Sequence, residues 1–93
     1  MKRAHLVITG RVQGVLFRKY AKAKADELGL TGWVKNALNG DVEMVCEGEE
    51  KDITSLISFM RQGPPLAKVK DVEVEYKAHT GEWGDMVIRE FGF

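Results

Sequence analysis

The stretch ITGRVQGVLFRKYAKAK, residues 8–24, joins a strand pattern to a helix pattern through a glycine-containing turn. Gly10 and Gly14 lie four residues apart, Arg18 follows four residues later, and no acidic residue interrupts the stretch. A strand, a glycine turn and the first turn of a helix are the parts from which many anion sites are built. This junction is therefore the starting point for predicting both the fold and the function.

Apolar periodicity on the two sides of the turn predicts one strand and one helix. Ala4, Leu6 and Ile8 alternate with a less apolar set along residues 4–9, as expected of a strand with one buried face. After the turn, apolar residues recur at helical spacing, and Gly29 stands where a C-cap glycine is expected. The helical positions are Phe17, Tyr20, Ala21, Ala25 and Leu28.

The rest of the chain predicts two strands, a second helix and one or two further strands. Residues 32–37 and 41–47 flank Asn39-Gly40, a strong hairpin-turn signal. A helical apolar stripe precedes the Gly-Pro-Pro stop at residues 63–65. Residues 72–77 alternate as a strand with one solvated face, and residues 86–91 allow a short last strand. The stripe consists of Ile53, Leu56, Ile57 and Met60.

The order β-α-β-β-α-β predicts an α+β fold of the ferredoxin-like, split β-α-β kind. We expect an antiparallel sheet of four or five strands with two helices on one face. No linker or repeat divides the chain, so residues 1–93 are predicted to form a single domain.

Composition argues against several classes of protein. The chain has 93 residues, a formal net charge of zero and one cysteine. Zero net charge argues against a general nucleic-acid binder, and no apolar run is long enough to span a membrane. The N-terminal segment lacks the pattern of a signal peptide. A lone cysteine permits no intrachain disulfide and favours the cytoplasm. We expect a cytoplasmic monomer that binds neither nucleic acid nor membrane.

Charge is nevertheless unevenly distributed along the chain. The first 25 residues contain seven basic residues and no acid. The basic residues are Lys2, Arg3, Arg11, Arg18, Lys19, Lys22 and Lys24. A small anion bound near this segment and a solvated basic helix face explain the pattern equally well. The two histidines, His5 and His79, lie far apart without a ligand cluster, so a metal site is not expected.

The turn itself has the chemistry of an anion site. A helix cannot pair its first N–H groups internally, and glycines let successive N–H groups converge on an anion. We expect Gly10 and Gly14 to flank a turn of this kind, which is called the curl below. If Phe17 faces the core, Arg18 is rotated by about 100° and can reach back over the loop. The turn matches neither a Walker loop nor a dinucleotide fingerprint. On these grounds alone, a flexible turn with a surface arginine explains it equally well.

Three blocks of sequence together resemble the acylphosphatase family. The first is GRVQGVLFR at residues 10–18, and the second is GWVKN at residues 32–36 followed by Asn39-Gly40. The third is Gly-Pro-Pro at residues 63–65 with Ala67 and Val69. The blocks occur in the family's order and span nearly the whole chain, a combination far more specific than any one block.

The resemblance implies hydrolysis of small acyl phosphates, the mixed anhydrides of a carboxylic acid and phosphate. It implies that Arg18 binds the phosphoryl group and that Asn36 orients the attacking water. It further implies a backbone N–H cradle and no need for a metal or other cofactor. The cradle residues would be Gln13, Gly14, Val15, Leu16, Phe17 and Arg18. Phosphate or sulfate-like anions are expected to bind at the same place.

Two departures and one alternative accompany this interpretation. Ala37 stands where many relatives of the family carry threonine, so a supporting hydroxyl is absent. The side chain of Gln13 is expected to brace the loop rather than to act as a catalytic amide. The alternative function is a non-catalytic ferredoxin-like module that binds phosphate or another anion. Retention of both Arg18 and Asn36 favours the enzyme, because binding alone has no need of a residue that holds water.

Overall fold

The computed structural model describes residues 1–90 of the chain. It contains five strands and two helices in the order β1, α1, β2, β3, α2, β4, β5. Their bounds are β1 Lys2–Arg11, α1 Phe17–Glu27, β2 Thr31–Asn36, β3 Val42–Gly48, α2 Glu50–Gln62, β4 Lys68–Lys77 and β5 Met86–Arg89. The predicted last strand is therefore present but ends at Arg89, and Phe91 lies outside the described residues.

The strands form one sheet in the order β4-β1-β3-β2-β5. Neighbouring strands are antiparallel in the first three pairs, whereas β5 is parallel to β2. The predicted ferredoxin-like α+β class is confirmed, but the sheet is mixed rather than wholly antiparallel. The difference arises because β5 follows β4 in the chain yet joins the opposite edge of the sheet.

One hydrophobic core lies between the sheet and the two helices. Ala4, Leu6 and Ile8 of β1 are buried on the face that the alternating pattern predicted. The apolar stripes of both helices reach the same cluster of buried residues, which places the helices on one face. Burying a large aliphatic or aromatic side chain contributes about 1.5–3 kcal/mol. Among residues 1–90, neither helix is long and apolar enough to cross a bilayer.

The directions of the strands place one end of each of the five strands along the same side of the sheet, which is called the site edge below. β1 and β2 both run antiparallel to β3, and β5 runs parallel to β2. These three strands therefore end where β3 begins, and Lys68 at the start of β4 pairs with Arg11 at the end of β1. Because β1 and β2 both end at the site edge, the β1–α1 loop lies close to Asn36, although the two are far apart in sequence.

A buried carboxylate fixes the long connection from β4 to β5. Glu47 lies on the sheet face opposite the helices, yet only 2% of it is exposed because residues 79–81 cover it. Its Oε2 accepts hydrogen bonds from the Thr80 N–H at 2.8 Å and the Thr80 hydroxyl at 3.0 Å. Its Oε1 accepts from the Gly81 N–H at 2.9 Å, and His79 Nε2 lies 3.4 Å away. These contacts hold the segment that carries the chain across the sheet.

The same contacts determine the ionisation of Glu47. Burial acts to raise the pKa of the carboxyl, but the hydrogen bonds from Thr80 and Gly81 together outweigh it and lower the pKa below 4.5. Because the folded protein favours the ionised form, the stabilisation is complete above the unfolded pKa. It disappears as pH falls through the lower pKa of the folded state.

We predict that Glu47→Gln lowers the free energy of unfolding by about 1.5–3 kcal/mol at pH 7, since charged hydrogen bonds are lost in a buried site. Urea unfolding from pH 7 to pH 3 measures the effect. The difference between the two proteins should shrink as pH falls from the ordinary pKa of a glutamate to the lower pKa of Glu47 in the folded state, where the wild-type carboxylate becomes protonated. A difference that stays constant over this range would contradict the assigned role.

Candidate active site

Gly10 serves the contact between strands rather than the turn. It belongs to β1, where the register with β4 shifts between Thr9 and Gly10. Its φ is +121°, and an added Cβ would collide with the backbone carbonyl of Lys68. The expectation that Gly10 and Gly14 together bracket the curl is therefore corrected. Gly14 lies in the curl, whereas Gly10 permits the close approach of β1 and β4.

The curl between β1 and α1 uses two left-handed residues. Gly14 has a φ of +73°, and Leu16, the residue that caps α1, has a φ of +64° and a ψ of +24°. A left-handed conformation costs a residue with a Cβ about 1–2 kcal/mol, and such strain is often found at functional sites. Left-handed residues placed between right-handed ones turn consecutive N–H groups to the same side.

Within the described residues 1–90, the backbone N–H groups of this segment have no hydrogen-bond partners. Within residues 1–90, no N–H group of residues 13–19 donates a hydrogen bond, and the first helical bond runs from Tyr20 N to Leu16 O at 3.1 Å. The positive end of the helix dipole adds to the potential of these groups. The segment is thus a set of donors ready for an anion.

The first turn of α1 separates a core residue from a site residue. Phe17 is buried, which holds the start of the helix against the core. Arg18 is turned away and its Nη1 donates to the Arg89 carbonyl at 3.1 Å. The same nitrogen lies 3.4 Å from Glu90 Oε2 in an ion pair. The guanidinium is therefore tied to the end of β5, a contact that the sequence did not indicate.

Asn36 is the last residue of β2 and precedes a well-formed hairpin turn. Ala37 N donates to the Asp41 carbonyl at 2.8 Å, and the Asn39 side chain accepts from the Asp41 N–H at 3.0 Å. Gly40 supplies a φ of +99° within this turn. The turn fixes the end of β2, and with it the position of Asn36.

Arg18 and Asn36 line the same cavity, which has a volume of about 470 Å³. The lining residues are Val12, Gly14, Leu16, Phe17, Arg18, Lys19, Asn36, Ile88 and Glu90. Four of the six predicted cradle residues are among them. Gln13 and Val15 are not, although their backbone N–H groups belong to the same unpaired segment.

Among the described residues, two cations and one carboxylate line the cavity, so its charge suits an anionic ligand. Within the described residues, no three His, Cys, Asp or Glu side chains meet in a cluster that could hold a metal. Cys46 lies in the core, where burial and the charge of Glu47 raise the pKa of its thiol to about 12. It is a core side chain on the same buried face of β3 as Val42 and Met44.

Comparison with known proteins decides the family. The acylphosphatase family model matches residues 4–88. The chain belongs to the acylphosphatase family. An acylphosphatase of Methylococcus capsulatus is 48% identical over 95% of this chain and 96% of its own length. The crystal structure of the Bacillus subtilis acylphosphatase is 35% identical, has a TM-score of 0.92, and is covered over 99% of its length and 96% of this chain. A Coxiella burnetii acylphosphatase structure is 42% identical, with a TM-score of 0.89 and coverage of 92% of its length and 95% of this chain.

The predictions of an acylphosphatase and of a hydrolase are thereby confirmed, and the non-catalytic module is not favoured. The roles of Arg18, Asn36 and the cradle stay predictions, to which the geometry adds their shared cavity. Sequence reasoning missed four lining residues of this acylphosphatase site, which are Val12, Lys19, Ile88 and Glu90. Ile88 and Glu90 carry no motif, and only the pairing of β5 with β2 brings them to the site.

Gln13 connects the cradle to the hairpin that carries Asn36. Its Nε2 donates to the Ala37 carbonyl at 2.7 Å and to the Asp41 carbonyl at 2.8 Å. These are the two residues that close the hairpin. The Gln13 side chain thus fixes the position of the cradle N–H groups relative to Asn36, the residue predicted to orient water. This contact agrees with the predicted bracing role of Gln13.

We predict that Gln13→Ala lowers the free energy of unfolding by about 1–3 kcal/mol, because two hydrogen bonds to backbone carbonyl groups are lost, although each carbonyl keeps one backbone donor. Gln13→Glu keeps the length of the side chain but brings no donor at neutral pH, so it should be at least as destabilising. Urea unfolding of the two variants and the wild type measures this. Wild-type stability in Gln13→Glu would show that side-chain packing, not donation, matters at this position.

Proposed function

We propose that residues 1–93 form one cytoplasmic, monomeric catalytic domain that hydrolyses acyl phosphates without a metal. The observation that carries the proposal is the set of N–H groups of residues 13–19, which are unpaired within residues 1–90 and lie beside a cavity that Arg18 and Asn36 both line. In the reaction, the oxygen of water forms a bond to phosphorus as the bond from phosphorus to the acyl oxygen breaks. The carboxylate leaves with the electron pair of the broken bond, and inorganic phosphate is the other product.

Binding of the phosphoryl group is assigned to the cradle and to Arg18. The N–H groups of the curl donate to the phosphoryl oxygens, and the dipole of α1 favours their negative charge. Arg18 can donate two parallel hydrogen bonds to the same group. Its present ion pair with Glu90 is weak in energy, because 77% of the Glu90 side chain is exposed. An incoming phosphoryl group can therefore replace Glu90 as the partner of Arg18.

Catalysis is assigned to positioning and charge stabilisation. Phosphoryl transfer requires little covalent chemistry from the protein, and its transition state spreads charge over the equatorial oxygens. Donors that are already oriented toward those oxygens need no reorganisation during the reaction. The carboxylate is a good leaving group, so a cradle and one arginine can supply what harder phosphoryl transfers obtain from magnesium.

Asn36 is assigned to orient the attacking water. A neutral amide can donate to or accept from a water molecule, but it cannot take its proton. Glu90 is the one carboxylate among the described residues that line the cavity, and its ion pair directs it to Arg18. We therefore assign the proton to an oxygen of the substrate's own phosphoryl group rather than to a side chain.

The test of the function is hydrolysis of benzoyl phosphate, followed by its absorbance, in the presence and absence of EDTA. We expect equal turnover in both conditions. Arg18→Ala should weaken inhibition by inorganic phosphate and lower kcat/KM by about 10²–10³-fold, because it removes a group that binds developing charge. Asn36→Ala should keep the inhibition by phosphate and lower kcat by about 10²-fold.

Three outcomes would contradict these assignments. Absence of turnover by the wild-type protein would remove the proposed function. Turnover lost in EDTA would remove the metal-free mechanism. Full activity of Asn36→Ala would remove the role of that residue.

The assignment of the proton predicts that Glu90→Gln retains kcat within about threefold, because an essential base contributes about 10²–10⁴-fold. The pH dependence of kcat for this variant should match that of the wild type. Inhibition by inorganic phosphate should strengthen, since a carboxylate no longer competes for Arg18. A turnover rate that falls by about two orders of magnitude or more would identify Glu90 as the base and end the substrate-assisted scheme.

A further inference from the structure

A second cavity, of about 480 Å³, adjoins the cavity that Arg18 and Asn36 line, which is called the phosphoryl cavity below. The two cavities meet at the loop between β1 and α1. The second cavity is lined by Val15, Tyr20, Pro64, Pro65 and Leu66, together with two residues of the phosphoryl cavity. The two shared residues are Leu16 and Lys19. Apart from the Lys19 ammonium and the Tyr20 hydroxyl, the side chains of this apolar groove are hydrocarbon.

Two leucines that line the groove have side chains largely exposed to solvent. Leu16 is 72% exposed and Leu66 is 71% exposed. Leu16 has a left-handed backbone conformation, and Leu66 lies in a turn closed by a hydrogen bond of 2.9 Å from Ala67 N to Pro64 O. Two prolines stiffen that turn. Exposed apolar side chains beside a preformed concave surface are typical of ligand sites.

The strand order puts the groove and Asn36 on opposite flanks of the cradle. The cradle follows β1, which lies between β4 and β3. Asn36 ends β2, on the β3 side of β1, whereas Leu66 precedes β4, on the other side. The phosphoryl cavity contains Asn36 but not Leu66, and the groove contains Leu66 but not Asn36.

This arrangement matters because phosphoryl transfer proceeds in line. The attacking and leaving oxygens lie on opposite sides of phosphorus. If water is held at Asn36, the leaving carboxylate and its substituent extend from the cradle toward Leu66. The inference thus rests on the function proposed above and on the position assigned to the water.

We propose that the groove formed by Leu16, Pro65 and Leu66 is a binding site for the acyl group of the substrate. The site suits apolar acyl groups, such as aryl or branched alkyl groups, that are long enough to pass beyond Leu16. An acetyl group is too short to use it fully. The site therefore gives the enzyme a preference for acyl phosphates with a large apolar acyl group.

The experiment measures kcat/KM of wild type, Leu66→Ala and Leu38→Ala on benzoyl phosphate and on acetyl phosphate. Removing apolar contact from the groove should lower the ratio of benzoyl to acetyl kcat/KM by about fivefold in Leu66→Ala. Leu38 is 98% exposed and lines neither cavity, so Leu38→Ala should keep the wild-type ratio. Inhibition by inorganic phosphate, which has no acyl group, should be the same in Leu66→Ala and wild type.

The outcomes separate the groove from the function on which it rests. Hydrolysis of both substrates with an unchanged ratio in Leu66→Ala would overturn the groove and leave the proposed function standing. Failure of the wild type to hydrolyse either substrate would overturn both. An equal change of ratio in Leu38→Ala would also overturn the groove. So would a larger molecular mass of wild type than of Leu66→Ala in sedimentation, because a second copy of the chain would then occupy it.

Discussion

The site depends on one constraint, which is that the backbone N–H groups between β1 and α1 must stay unpaired. Any helix leaves its first N–H groups without internal partners. Here the preceding residues are curled so that their N–H groups also lack partners within residues 1–90. The left-handed conformation of Leu16, which is part of this curl, is strained, and the burial of Phe17 next to it holds the helix start in place. A bound anion would satisfy the donors that the fold leaves open.

The sheet supplies what the curl alone lacks. Because β1, β2 and β5 end at one edge, residues with no proximity in sequence surround the curl. Asn36 comes from β2, the Arg89 carbonyl that holds Arg18 comes from β5, and Gln13 ties the curl to the hairpin after β2. Even the distant Glu47 contributes, since it anchors the connection that brings β5 to this edge. In the proposed mechanism, the cations and free N–H groups at this edge receive the phosphoryl group, and the apolar groove beside them receives the acyl group.

Much of the fold and part of the site were predictable from local patterns. Helix and strand positions follow from periodicity, and β1 and α2 needed only small extensions at their ends. β4 shows the limit of this reasoning. Val72, Val74 and Tyr76 alternate along β4, and the pattern predicts that all three are buried on one face. Val72 is buried, but Val74 and Tyr76 are partly exposed. Arg18 and Asn36 were found through motifs whose spacing is short, and their shared cavity agrees with that prediction.

By itself, the sequence determined the order of elements, the family and the residue types offered to an anion, because these depend on neighbours along the chain. Only the tertiary structure decided that Gly10 serves a strand contact while Leu16 takes the left-handed turn. It also decided that β5 is parallel to β2 and that Glu90 meets Arg18. These features arise where segments distant in sequence meet at one edge of a sheet. Their geometry is set by strand pairing and packing, which no local pattern encodes.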